Sequence, residues 1–162
     1  MSIFMNYAGL EGRAADEIHA GWLELTDICF GVQRRISAEP STRKDRESAS
    51  ARFDELTLTR FVDKASPALY MAACCGRGAD AVIRLTKAGA GFGSELYMEC
   101  LLQHALISSY EVDAYSQGNT RPTEMLTLSF RALDLKYTPY DDDGKALPGV
   151  AVGFDAARNL RR

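Results

Sequence analysis

The sequence predicts one mainly β domain with a single short helix. Three observations carry that reading. Apolar and polar residues alternate with period two over most of the chain. Gly, Asn and Asp turn signals separate the alternating runs. Only one stretch, behind Ser66-Pro67, is apolar without alternation. At 162 residues the chain fits one domain, residues 1–162, with enough length for a real core.

Residues 2–8 read as a first strand, and Gly9, Gly12 and Asp16 mark a loop. Residues 21–35 read as one long strand with a slip of phase. Leu23 and Leu25 fall on one phase; Ile28, Phe30 and Val32 fall on the other. A bulge or sharp bend near Thr26-Asp27 reconciles them. On the later part, Asp27, Cys29, Gly31 and Gln33 oppose the apolar face.

Residues 37–50 carry many charges and no apolar period, so they predict a flexible loop. Residues 53–62 return to strand. Ser66 suits an N-cap and Pro67 the first helical position. Leu69 to Cys75 is apolar almost all round, which predicts a buried helix, and Gly76 and Gly78 stop it.

Strands follow at residues 80–88, 94–115, 123–131, 133–140 and 150–156. The long 94–115 stretch reads as two strands or one strongly bent strand. A second slip near Arg131-Ala132 asks for another bulge. Gly89-Ala90-Gly91-Phe92-Gly93, Gln117-Gly118-Asn119 and Asp141-Asp142-Asp143-Gly144 read as turns. About eight or nine strands and hairpin turns leave a sandwich or a small closed barrel. The repeated slips favour barrel-like closure, because bulges bend strands.

Composition excludes several functions. Net charge is -3, which argues against a dedicated nucleic-acid binder and leaves room for a local basic patch. No apolar run has the roughly 18–20 residues of a membrane-spanning helix. The first residues, Met1-Ser2-Ile3-Phe4-Met5, lack a basic region before an apolar core, so no signal peptide is expected. The cysteines, Cys29, Cys74, Cys75 and Cys100, lack Cys-x-x-Cys spacing and read as small apolar filler in a reducing compartment.

No motif announces catalysis, a cofactor or a metal. The 89–93 glycines lack the Lys-Ser/Thr of a phosphate loop, and strand follows them. The position twelve residues into a calcium loop begun at Asp141 holds Val152, not Glu. His19 and His104 lie far apart in sequence and near no cysteine. The expectation is a structural or binding protein, not an enzyme.

The run Phe61-Val62-Asp63-Lys64, Ser66-Pro67 and Leu69 resembles the strand-to-helix signature of Hcp, the haemolysin-coregulated protein of bacterial type VI secretion. The likeness spans nearly the whole chain in order. Gly9-Leu10-Glu11-Gly12 with His19 is similar to the family's early Gly-x-x-Gly and later His. Phe30-Gly31 is similar to the end of its long strand. Glu124, Leu128, Phe130 and Tyr137 match its Glu-x-x-x-Leu-x-Phe pattern and downstream Tyr. Gly153-Phe154-Asp155 and Asn159 resemble its closing segment. Arg13-Ala14, Phe154 and the charged 37–50 loop depart from the pattern.

The resemblance implies a β-barrel of two packed antiparallel sheets with one short helix at the side. It implies homohexameric rings that stack into a tube inside a contractile sheath, capped by a spike. It further implies secreted effectors in the lumen, and a route from the bacterial cytoplasm to the exterior without a signal peptide. Neither nucleic-acid binding nor membrane insertion is expected. On that reading Asp27, Cys29, Gly31 and Gln33 face lumen and cargo, and Glu39, Arg43, Lys44, Asp45, Arg46 and Glu47 contact the next ring. Two alternatives remain at this level: the tube protein of a phage tail or other contractile injection device, and a monomeric β-barrel that binds a small ligand.

Overall fold

The computed structural model describes residues 1–36, 50–89, 94–117 and 120–162. The expected 37–50 loop, save Ser50, lies outside the described residues, as do most of the 89–93 turn and Gly118-Asn119.

Among the described residues there are twelve strands and one helix, and ten of the strands form two packed antiparallel sheets. The strands are β1 (Ser2–Tyr7), β2 (Leu23–Leu25), β3 (Asp27–Cys29), β4 (Val32–Arg34), β5 (Ala51–Phe53) and β6 (Leu56–Phe61). After helix α1 (Ser66–Cys75) come β7 (Ala79–Ala88), β8 (Ser94–Asp113), β9 (Thr123–Ser129), β10 (Ala132–Tyr137), β11 (Val150–Asp155) and β12 (Leu160–Arg161). One sheet runs β12-β11-β10-β8-β7-β1-β2, and the other runs β3-β6-β9-β8. The β4–β5 hairpin stands apart as a two-stranded pair.

Strand β8 belongs to both sheets. Its first part pairs with β7 and β10, and residues 106–113 pair with β9. His104 sits at the crossing with φ 52, an uncommon value for a residue with a side chain. Asp80 Oδ1 accepts its N–H at 3.0 Å. A Cβ at Gly78 would overlap its imidazole, so a larger residue there would have to displace that ring. The 94–115 stretch is therefore one strongly bent strand.

Both predicted slips of phase turn out to be places where the chain changes sheet. At Thr26 it passes from β2 to β3, with the Thr26 N–H bonded to Thr59 O at 2.8 Å. At Phe130-Arg131 it passes from β9 to β10. Residues 21–35 are consequently three short strands rather than one. No ladder joins β2 to β3 among the described residues. The barrel-like body is hydrogen-bonded along β8 and joined covalently on the opposite side.

Alternation places Met5, Leu23, Leu58, Ile83, Leu102, Leu126 and Leu128 fully inside. Burying side chains of this size stabilises by about 1.5–3 kcal/mol each relative to exposure. The same core holds a charge. Arg60 is 1% exposed and pairs with Glu124, also 1% exposed, and with Asp63. Tyr110 donates a 2.6 Å hydrogen bond to the other oxygen of Glu124. This group ties β6, β9, β8 and the approach to α1.

The helix departs from expectation in two ways. Ser66 does not cap it. No side chain caps the first turn; Asp63 Oδ1 accepts the Ala65 N–H just ahead of it at 2.8 Å, while Ser66 Oγ accepts the Asp63 N–H at 3.0 Å. Nor is the helix buried. Only Ser66 and Leu69 are, while Tyr70 and Met71 are 54% and 53% exposed. The reason is position: α1 packs beside β8 at the side of the sandwich, so one face alone meets protein. The cysteine reading also needs correction, since Cys29, Cys74 and Cys75 are exposed and only Cys100 is buried.

The core charge gives a pH dependence. Burial, the bond to Glu124 and the Glu124 charge push the Tyr110 phenol up to about 12, against smaller opposing effects of Arg60 and Ser66. A free phenol titrates near pH 10. The stability linked to this proton is complete below about pH 10 and is lost as pH rises towards about 12. In Tyr110→Phe, the loss of urea stability between about pH 9 and about pH 11.5 is expected to be shallower than in the parent. Equal losses in the two proteins would rule this origin out.

Candidate assembly and cargo surfaces

The register of the smaller sheet fixes its outer face. Cys29, Thr57, Thr127 and Ser109 form one row across it. Asp27, Thr59, Met125 and Glu111 form the next. Hydroxyls are frequent in these rows, which hold Met125 as their large apolar side chain, and Phe61 follows in the next row. The face is the physical consequence of alternation in Leu-Thr-Leu-Thr, residues 56–59: leucines enter the core, threonines leave it.

Asp27 and Cys29 lie together on that face, both exposed. Gln33 lies beyond it on the β4–β5 hairpin, where its Nε2 donates to Asp54 Oδ2 at 3.2 Å. Gly31 O accepts the Asp54 N–H at 3.0 Å, and a Cβ at Gly31 would press on the same carboxylate. So the structure joins Asp27 with Cys29, and Gly31 with Gln33, in two adjacent groups. Glu39, Arg43, Lys44, Asp45, Arg46 and Glu47 lie outside the described residues.

The sheet has two free edges among the described strands. Strand β3 pairs only with β6. Residues 106–113 of β8 pair only with β9. Free edges present unpaired N–H and C=O groups to any neighbouring strand.

Two apolar surfaces are also open. One is the outer side of α1, with Tyr70 and Met71. The other is a cleft of about 560 Å³ between the β4–β5 hairpin and the overhanging β10 and β11, lined by Phe30, Val32, Phe53, Leu135, Val152 and Phe154. Val32, expected in the core with Ile28 and Phe30, is 58% exposed in this cleft. The hairpin carries Val32 past the end of the sandwich, where no opposing sheet covers it.

No group of three His, Cys, Asp or Glu residues among those described could hold a metal. His19 is buried, stacked on Phe4 at 4.5 Å with Trp22 edge-on. Its Nδ1 lies 2.6 Å from Asp16 Oδ1. Burial would raise the Asp16 carboxyl, but hydrogen bonds from His19 and Ile18 and the imidazole charge hold it lower overall. This is a clasp folding the 9–22 segment over β1. No helix of the described residues is long and apolar enough to cross a membrane.

A sequence model of the family described as type VI secretion system effector, Hcp, matches residues 4–137. The chain belongs to that family. Hcp1 of Pseudomonas aeruginosa strain PAO1 is 26% identical over 163 aligned positions, covering 99% of this chain and 98% of that protein. The fold agrees with solved structures. A type six secretion system protein superposes with a TM-score of 0.90 at 21% identity, over 99% of both chains. Hcp1 from Salmonella typhimurium superposes with a TM-score of 0.77 at 17% identity, over 99% of this chain and 98% of its own.

The expected Hcp fold of two packed antiparallel sheets with one helix at the side is therefore the fold observed, while the barrel closure that the phase slips favoured is not reached, since no ladder joins β2 to β3 among the described residues. Sequence reading missed the free β8 edge and the apolar cleft. The signal for the cleft was present: Val150, Val152 and Phe154 alternate on β11, past the sheet that could cover them.

The thiols should separate by burial. Burial and the Glu99 charge push Cys100 up to about 11, and the thiolate is the reactive form. Mass spectrometry after brief maleimide treatment at neutral pH is expected to find Cys29 labelled and Cys100 unlabelled. Equal labelling of both would mean that the core opens.

Proposed function

We propose that this Hcp-family chain is a non-enzymatic subunit of a type VI secretion tube. In this reading it forms hexameric rings that stack, are expelled by sheath contraction behind a spike, and carry effectors in the lumen. The observation that carries the reading is a four-stranded sheet free at both edges, in a chain of this family, with a hydroxyl-rich outer face.

The physics follows from the edges. β3 and the last part of β8 are different surfaces, so a contact between them is head to tail, and such contacts close into a ring when the rotation permits. Each junction extends the sheet, and the outer face becomes the lumen wall. A wall of Thr, Ser and Cys stays wetted and has few strong anchors, which suits cargo that must later leave. Asp27 and Cys29 stand on that wall, and Gly31 and Gln33 continue from it. The segment with Glu39, Arg43, Lys44, Asp45, Arg46 and Glu47 contributes to ring–ring contact. Subunits assemble in the bacterial cytoplasm and reach the exterior only when the tube is fired.

Light scattering coupled to size exclusion, at two protein concentrations, tests the ring. A stable hexamer is expected; a concentration-independent monomer would reject the tube and favour a ligand-binding barrel. In assembled rings, a bulky maleimide on Cys29 is expected to block cargo binding, and undiminished binding after full modification would remove Cys29 from the cargo surface. Charge reversals at Arg43, Lys44 and Glu47 are expected to shorten tubes; unchanged length would remove that segment from stacking.

A further inference from the structure

The hairpin formed by β10 and β11 carries opposite charges at its two ends. At one end, where Ala132 pairs with Asp155, lies a polar cleft of about 470 Å³. Arg131, Arg158, Arg162 and His104 line it, together with Gln103, Asp80 and Asp155. The carboxylates there are already engaged. Asp155 Oδ1 accepts the Arg158 N–H at 2.9 Å, and Asp80 Oδ1 accepts the His104 N–H at 3.0 Å. Arg162 pairs with Asp134 at 3.1 Å. Arg158 lies 3.9 Å from Asp155 and its side chain is 68% exposed. Arg131 is exposed, and no carboxylate among the described residues pairs with it.

At the other end is the turn Asp141-Asp142-Asp143-Gly144. Asp141 holds it, its Oδ1 accepting the N–H groups of Asp143 at 3.1 Å and Lys145 at 2.7 Å. Gly144 closes it with φ 77. Asp142 and Asp143 are left exposed at the tip. Lys145 offsets one charge, and the turn remains acidic. About ten residues of extended chain, roughly 30 Å, separate tip from cleft.

We propose that the acidic turn of one copy docks in the arginine cleft of a second copy, joining subunits end to end along the β10–β11 direction. This rests on the tube reading, in which it is a ring–ring contact additional to the 37–50 segment. The two patches differ and lie at opposite ends of one rigid element. A contact between them is head to tail, and it propagates wherever its rotation does not close. Its charges lie at exposed positions, so they set register and association rate more than they bury area. Screening at physiological salt acts within about 8 Å, so such a contact is salt-sensitive. A second copy is the occupant because the chain itself supplies the complementary charge, with Asp142 and Asp143 exposed at one end and Arg131 and Arg158 exposed at the other.

Sedimentation velocity with electron microscopy tests it on four purified proteins: the parent, D142K/D143K, R131E/R158E, and the protein carrying all four changes. Measurements at about 50 mM and about 300 mM salt span the screening range. The parent is expected to show stacked rings that fall to single rings at the higher salt. Each double variant should lose stacking about tenfold at low salt while keeping the mass of its single ring, and the fourfold variant should regain it. The unchanged ring mass is the control for folding. Rings that stack alike in all four proteins, that never stack at low salt, or that are not rescued by the fourfold change overturn this contact and leave the tube reading standing. A parent that forms no ring overturns both. Dissociation of stacks by a short oligonucleotide, with no rescue in the fourfold variant, would assign the cleft to an external anion instead.

Discussion

The structure turns on a buried positive charge. Arg60 lies inside the sandwich, and its guanidinium is answered by Glu124 from the next strand and Asp63 from the turn beyond. Removing one partner of such a buried pair costs about 3–5 kcal/mol, because the other charge is stranded. The consequence is positional. Glu124 fixes the register of β9 against β6, and its second oxygen takes the Tyr110 hydroxyl of β8. Asp63 meanwhile holds the Ala65 N–H at the entry to α1. Three strands of the smaller sheet and the start of the helix are thus held by one group. An apolar core of similar size would be no less stable, but it would specify that register less strictly.

From that anchoring follows the distribution of surfaces. A sheet held in register from within can leave its edges free without slipping. The helix, fixed by its first turn and by Leu69, can expose Tyr70 and Met71. The overhang of β10 and β11 beyond the sandwich creates one apolar cleft and one arginine-lined cleft at the same end. These features would be liabilities in a monomer, since free edges and apolar patches invite association. In the proposed tube subunit they would serve as the contacts.

Much of this was legible in residues. The two phase slips located both sheet crossings, because a strand that changes sheet must invert which residues face the core. The Asp141 turn was legible from Asp-Gly chemistry. The helix position was legible from Pro67 and Gly76. Its burial was not: a segment apolar all round tells how many faces could be covered, and the fold covered only one. The bend at His104 had no signal, since the positive φ there is accompanied by contacts with Asp80 and Gly78, more than twenty residues earlier in the chain. Cys74 and Cys75 followed the helix outward for the same reason.

The sequence alone determined the β class, the single helix, the family resemblance and the inward-facing leucines, because these depend on local pattern and on chain order. Tertiary structure decided which edges stay unpaired, where β8 divides between sheets, and which apolar residues face water. It also decided that Arg131, Arg158 and Arg162 converge at one end of a hairpin whose other end carries Asp142 and Asp143. Those properties depend on residues distant in the chain meeting in space, and no periodicity along the chain encodes such meetings.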